Sequence, residues 1–369
     1  MKTWLRILCA LLCAALICGM PFYLSAPMMI QEAKDTLLNE DEEEDEGESL
    51  DFGRLLFPSA AAEEEFVMEE TDAEDPFAEK TSESVSGGNL SIPDAWKLPF
   101  DFSVPPMPDP EKFNENGYED ASIRVTVETL EVMESTVHMA RIEVADPSQV
   151  RTATAYGVKS SRALKMFNIA KQNNAVIAMN GDLFIQMPEK KCFEVRMTEK
   201  IPKRNKTSKV KDTRMIDRNG DFHLFVLSDG MEEYVKQHGN EIVNAFMFGP
   251  ALVVNGEINT HDNYDYDRTG RTSRSAIGQT GPLSYVCVVV EARGKSRGVS
   301  HEELAYLMKD LGCVQAYNLD GGNTAEMIMI GPDADNVMFH VKGDQTASEY
   351  RSQSDIIYFA TAVPENERN

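Results

Sequence analysis

The sequence predicts an α+β fold of mixed, largely antiparallel sheets with packed helices, preceded by an N-terminal membrane anchor and a disordered acidic tether. Three observations predict it. Residues 7–30 form an almost wholly apolar run, about the length that crosses a bilayer. Residues 31–117 hold the acidic blocks Asp41–Glu46 and Glu63–Glu65 and have too little apolar surface to bury. From Tyr118 onward, short strand-like runs bounded by turn residues outnumber helix-period stretches.

The chain therefore divides into an anchor or signal segment over 1–30, an acidic, proline-containing linker over 31–117, and a folded domain over 118–369. Lys2 and Arg6 precede the apolar run, which places that end in the cytoplasm and the bulk of the chain outside it. A removable signal peptide is the rival reading. Leu24-Ser25-Ala26 offers small residues for cleavage, but Pro27 follows directly, so an uncleaved single-pass anchor in the cell membrane is expected. Like charges keep the linker extended, and the proline-rich stretch from Pro93 to Pro110 stiffens its end.

Composition excludes some classes. A formal net charge of -25 argues against nucleic acid as a partner. The chain has no CxxC, and its six His show no zinc spacing. Cys287 and Cys313 sit in strand-like runs and read as buried packing residues.

In order along the domain, Ile123–Val127 and Val137–Val144 alternate as strands. Ser160 or Ser161 can cap a helix running through Lys171. Ala175–Met179 is a buried strand leading into Asn180-Gly181-Asp182. Residues 186–215, with Lys190, Lys191, Arg196, Lys200, Lys203 and Arg204 among their cations, read as a basic surface excursion or lid. Phe222–Leu227 is a strand, Met231–Gln237 a short helix and Ala251–Val254 a strand. Tyr264 and Tyr266 in the loop that follows could stack on a sugar.

Leu283–Ala292 is a strand, followed by the basic, glycine-punctuated loop Arg293–Gly298. Ser300 and Glu303 form a capping box, the helix after them aligns Leu304, Leu307, Met308 and Leu311, and Gly312 ends it. The strand Cys313–Tyr317 then runs into Asn318-Leu319-Asp320-Gly321-Gly322-Asn323-Thr324, and Glu326–Ile330 resumes as a strand. This strand–loop–helix–strand unit puts cations at one strand end and Asp320 at the next, where ligands tend to collect. Val337–Val341 and Asp355–Val363 close the domain.

Arg293 with Ser296-Arg297-Gly298, the helix containing Glu303-Leu304-Ala305, and Asn318–Gly322 together resemble the phosphodiester glycosidase family. Its bacterial members are often labelled exopolysaccharide-biosynthesis proteins. The resemblance is strongest over 271–330. The family's turn reads Asp-Gly-Gly-Gly-Ser, and here Asn323 and Thr324 replace its last two residues. Arg271–Gly278 resembles the family's Arg-Thr-Ala-Ile-Gly, aligning Arg274. Asn180-Gly181 resembles its Asn-Gly-Gly-aromatic turn, with Asp182 replacing a glycine. Arg351 matches a further Arg.

The resemblance implies an extracytoplasmic glycosidase that hydrolyses a sugar-1-phosphodiester at C1–O, in a glycoconjugate or surface polysaccharide. Asp320, Asn180 and Arg274 are the expected catalytic residues, with Asp182 and Glu326 as reserve carboxylates. Arg293, Arg297, Asn318, Gly321, Gly322, Asn323, Thr324, Arg351 and Asp182 are the expected substrate ligands. The chemistry suits them. Guanidinium forks bind phosphate oxygens in planar pairs. Breaking C1–O gives an oxocarbenium-like transition state and needs a carboxylate to attack C1 or activate water. No cofactor is required, although Asp182, Asp320 and the Asn amides offer oxygens of the type that Ca or Mg takes. Two alternatives follow: a non-catalytic module binding anionic glycans, and a metal-dependent phosphodiesterase cutting P–O.

Overall fold

A computed structural model of the chain describes residues 90–160, 162–182, 193–201, 212–260, 268–331 and 337–368. The anchor, most of the acidic linker, most of the basic excursion and the Tyr264–Asp267 loop lie outside the described residues. Among the described residues, no helix is long and apolar enough to cross a membrane.

Two sheets form the centre. The larger has nine strands in the spatial order Phe113–Asn114, Gly117–Glu119, Ile123–Val132, Ser135–Val144, Ser284–Val290, Arg274–Gly281, Gln315–Leu319, Ala251–Val254 and Glu257–Ile258. The smaller has five: Val337–Lys342, Glu326–Ile330, Ile177–Asn180, Asp355–Phe359 and Val150–Thr154. Side-chain alternation decides their stacking, because successive residues of a strand face opposite sides. Met327 and Met329 join Ile277, Tyr317 and Leu319 in one core between the two sheets. Ile328 and Ile330 face the other way, onto helix α1 (Met166–Gln172).

On the far side of the larger sheet, Ala276, Val286, Val288 and Ala316 pack on Leu304, Leu307 and Met308. These three belong to helix α3 (His301–Asp310), which follows α2 (Met231–His238) in the chain. The result is four layers: α3, nine-stranded sheet, five-stranded sheet, α1. A third sheet orders Phe222–Phe225, Thr213–Asp217, Ile242–Phe246, Val195–Arg196 and Glu199–Lys200. It sends Ile216, Phe222 and Phe246 into the same central core and carries α2 on its outer side.

The mixed, mostly antiparallel fold agrees with the sequence, including the capping box of α3 and the left-handed Gly312 that ends it. In the crossover, Ser284–Val290 and Gln315–Leu319 run parallel without touching. The strand Arg274–Gly281 lies between them and pairs antiparallel with both. Cys287 and Cys313 are buried and unbridged, as expected.

Two expectations need correction. The first helix starts at Met166, not Ser160 or Ser161, because Leu164-Lys165 is held extended by pairing with Ser352-Gln353. Ser160 instead closes a local turn, its Oγ accepting from the Arg162 amide. The folded body also starts before Tyr118. Part of the proline-rich segment is clamped by Arg151, which is 1% exposed. Its guanidinium donates to the carbonyls of Pro99, Ser148, Asp101 and Ser103 and to the Tyr358 hydroxyl.

Arg151→Ala would orphan three carbonyls of that strap. The expected cost is about 2 kcal/mol, because hydrogen bonds from a charged donor contribute about 1.5–3 kcal/mol and water replaces them only in part. Limited proteolysis of the variant should cut within 97–105 well before the parent is cut there; equal resistance would show that the clamp contributes little.

Candidate active site

The Asp320 turn is the corner between the two central sheets. Leu319 ends a strand of the nine-stranded sheet and Glu326 begins one of the five-stranded sheet. The glycines are required here. A Cβ on Gly321 would lie 2.7 Å from the Ser273 carbonyl oxygen, and Gly322 has φ +62°. The corner is tied down from three sides. The Gly322 amide donates to Ser273 O (3.0 Å) and Ser273 Oγ to Gly322 O (3.0 Å). Ser275 Oγ donates to Asp320 O (3.0 Å).

Asn180, fully buried at the end of its strand, closes the third side. Its Nδ2 donates to Asp320 O (2.8 Å) and its Oδ1 accepts from the Glu326 amide (3.1 Å). Its amide thus bridges both ends of the corner, which makes Asn180 a positioning residue.

The Asp320 carboxyl is partly exposed, and burial pushes its pKa up to about 6. The Thr324 hydroxyl, the charge of Arg351 and the Gly321 amide oppose that rise, while Asp182 adds to it. Arg351 Nη1 donates to Thr324 Oγ1 (2.8 Å) and Asn323 Oδ1 (3.1 Å). A carboxyl that titrates near neutrality and a guanidinium therefore share one hydroxyl.

The other expected arginines spread outward. Arg274 begins its strand with its Cα 3.7 Å from where a Gly321 Cβ would stand. Its guanidinium donates to Val299 O (3.3 Å) and Gly270 O (2.8 Å). Arg293 pairs with Asp344 at 2.7 Å and Arg297 with Glu134 at 2.8 Å; their side chains are 61% and 57% exposed. Arg293 and Arg297 belong to the rim, in surface pairs of small energetic weight. Asn318 is 2% exposed, donates Nδ2 to Gly249 O (2.9 Å) and leaves Oδ1 buried without a donor.

Asp182 is placed differently from the expectation. It is fully buried, with Oδ1 2.8 Å from Arg196 Nη2 and Oδ2 accepting from the Met247 amide (3.3 Å). Arg196 Nε binds Asp355 Oδ2 at 2.8 Å, and Glu194 stands 3.6 Å away. Gly181 makes room, since a Cβ there would lie 2.4 Å from Asp355 Oδ2. Burial opposes the Arg196 charge, yet Asp182, Asp355 and Glu194 outweigh it and raise its pKa above the ordinary value. Burial lifts Asp355 to about 6, against Arg196 and with help from Asp182. Arg196, counted in the sequence as part of an exposed basic run, is fully buried and its guanidinium stacks 3.9 Å from the Phe246 ring. Asp182 is committed to Arg196 and the Met247 amide, with its side chain out of reach of solvent.

The family model for phosphodiester glycosidases matches residues 173–360, more than half of the 369-residue chain. The chain belongs to the phosphodiester glycosidase family. The match contains the whole corner, from Asn180 through Asp320 to Arg351 and Asp355.

No curated protein matches the chain. Among solved structures, similarity extends to the zebrafish N-acetylglucosamine-1-phosphodiester alpha-N-acetylglucosaminidase catalytic domain, auto-inhibited by its pro-peptide. That pair shares 16% identity over 65% of this chain and 83% of the other, with a TM-score of 0.48. A hypothetical protein from Synechocystis shares 13% identity over 64% of this chain and 62% of its own, at a TM-score of 0.43. An exported protein from Burkholderia pseudomallei K96243 shares 13% identity over 62% of this chain and 74% of its own, at a TM-score of 0.38.

Within this member of the family, several residues around the corner carry little signal in the sequence. Ser273 and Ser275 lay within the Arg271–Gly278 motif and could have been read as partners of the turn. Asp355, Gln353 and His340 carry no local signal. The reserve carboxylate Glu326 is 1% exposed and committed, accepting from His340 Nε2 (2.8 Å) and Gln353 Nε2 (3.2 Å). Among the described residues, no three His, Cys, Asp or Glu side chains group to hold a metal ion. A hard cation at Asp182 would have to displace Arg196 and an amide donor.

Proposed function

We propose that this chain is an extracytoplasmic glycosidase that hydrolyses the C1–O bond of a sugar-1-phosphodiester in a glycoconjugate or surface polysaccharide. The observation that carries the reading is the Asp320–Thr324–Arg351 arrangement. A phosphate held by the Arg351 fork brings its esterified sugar carbon toward the carboxyl beside it. As C1–O breaks, the bonding electron pair moves to the phosphate oxygen, and Arg351 neutralises the growing charge. The departing phosphate monoester has a second pKa of about 6, so it needs little protonation. Ionised Asp320 then attacks C1 or takes a proton from the attacking water.

The test is hydrolysis of sugar-1-phosphodiester model compounds in water enriched in oxygen-18. Label in the sugar hydroxyl is the expected result. Label in the phosphate would mean P–O cleavage, the phosphodiesterase reading, and tight polymer binding without any product would mean a glycan-binding module.

The location outside the cytoplasm rests on the apolar run 7–30 with Lys2 and Arg6 before it. Protease added to intact cells should digest the domain, and full protection would overturn the topology.

The reaction also has a predicted pH dependence. Asp320 works ionised and its pKa lies at about 6. The value of kcat/KM should therefore rise as pH climbs through 6 and level off above it. A flat profile between pH 5 and 7 would remove Asp320 from the base or nucleophile role.

A further inference from the structure

One side-chain pair, His340 and Glu326, reaches both sides of the segment that carries Arg351. His340 stacks on Tyr350, the residue before Arg351, with ring centroids 3.7 Å apart and planes 13° off parallel. Tyr350 returns a hydroxyl bond to His340 O (3.2 Å). On the other side, Gln353 Nε2 donates to Thr324 O (3.0 Å) and to Glu326 Oε2 (3.2 Å). Glu326 Oε1 in turn takes His340 Nε2 at 2.8 Å. The loop of contacts closes through Arg351 Nη1 on Thr324 Oγ1 (2.8 Å). His340 and Glu326 link the flanks of Arg351 through side chains, beside Lys165, whose Nζ donates to Tyr350 O and whose backbone pairs with Ser352.

We propose that His340 and Glu326 form a positioning pair that sets the angle of the Arg351 fork and with it the affinity of the site for the phosphate of its substrate. The inference rests on Arg351 being the phosphate ligand. A planar guanidinium binds two phosphate oxygens only when its plane is aimed at them, so rotation of its backbone costs binding without removing any ligand. A neutral change in the pair is therefore felt in ground-state binding of phosphate.

Two variants test it: His340→Phe, which keeps a ring against Tyr350 and removes the Nε2 donor, and the isosteric Glu326→Gln, which keeps the Gln353 contact and removes the charge. The full chain is titrated with inorganic phosphate by calorimetry, and thermal midpoints are recorded. Both variants should bind phosphate about 10-fold more weakly while melting close to the parent. With a sugar-1-phosphodiester, kcat/KM should fall by at least the same factor, with KM rising and kcat falling, because the same fork meets the charge that grows on the phosphate. In an Arg351→Lys background, which has already lost the planar fork, His340→Phe should add no further loss. Unchanged phosphate affinity in either folded variant overturns the pairing, as does a full further 10-fold loss on top of Arg351→Lys. A parent that binds phosphate but hydrolyses nothing would sink the glycosidase reading and leave the binding comparison decisive. A parent that binds no phosphate overturns this inference.

Discussion

Asp320→Asn should fold like the parent and lose hydrolysis by about 10²–10⁴-fold, the usual contribution of a positioned acid–base or nucleophilic group. The amide keeps the shape and can still accept from Thr324, so the corner has no reason to open. It cannot attack carbon or take a proton, and the rise of kcat/KM through pH 6 should vanish with it. Stability gives a second readout. In the parent, burial raises the Asp320 pKa from 3.8 to about 6. A raised carboxyl stabilises the fold most when protonated, and this stability is lost as pH rises through that window. The neutral variant avoids the loss. At pH 7.5 it should melt no lower than the parent while being nearly inactive. Full turnover in a folded Asp320→Asn protein would sink the assignment, and a large drop in melting temperature would recast Asp320 as a structural residue.

Arg196→Met is the second large effect, and it acts on stability. The substitution keeps volume and leaves Asp182 and Asp355, both fully buried, without their cation. Breaking a buried pair by removing one partner costs about 3–5 kcal/mol, because the remaining charge has lost its compensation. A second buried guanidinium lies nearby. Arg214 is held over the rings of Phe246, Phe222 and Tyr317 at 4.2, 5.0 and 5.4 Å, and its three nitrogens find no hydrogen-bond partner among the described residues. Burial lowers its pKa to about 9.

The deficit of Arg196→Met should shrink at low pH. Asp355 already holds its proton up to about 6 with Arg196 present. Without that cation it holds the proton to higher pH, so the penalty grows above 6 and fades below it. Denaturant unfolding at pH 5 and pH 7.5 measures the difference. An equal cost at both would show that the carboxylates are not the source. Adding Asp355→Asn to Arg196→Met should recover part of the loss at pH 7.5, since one of the two orphaned charges is gone.

Much of the fold is written locally. Alternation in Ile123–Val127 announces a strand because a half-buried strand must face two environments, and the unbroken apolar run Met327–Ile330 announces one buried on both faces. Ser300 with Glu303 announces a helix start because four unbonded amides there need acceptors. The Asp320 corner is legible for the same reason, since two adjacent glycines after a strand mark a backbone that no side chain could follow. Where local chemistry competes with distant pairing, the reading slips. The stretch from Ser160 looked like a capped helix, but ladder partners at Ser352 and Gln353 hold Leu164-Lys165 extended and the helix begins only at Met166.

The candidate site shows the limit most clearly. The residues of the corner and the arginines at strand ends were visible in the chain, because each sits in a short motif of its own. Which of those arginines reaches the corner was not visible. Arg293 and Arg297 swing to Asp344 and Glu134, while Arg351 comes back to Thr324. Arg196 looks like any other cation of a basic run until folding brings Asp355 to it from 159 residues away. The sequence by itself determined the strands, the glycine corner and the acidic group at its tip. Folding in three dimensions settled which charges are buried against one another and which arginine reaches the Asp320 corner, because a long charged side chain finds its partner by distance in space, and that distance is set by the packing of all the layers together.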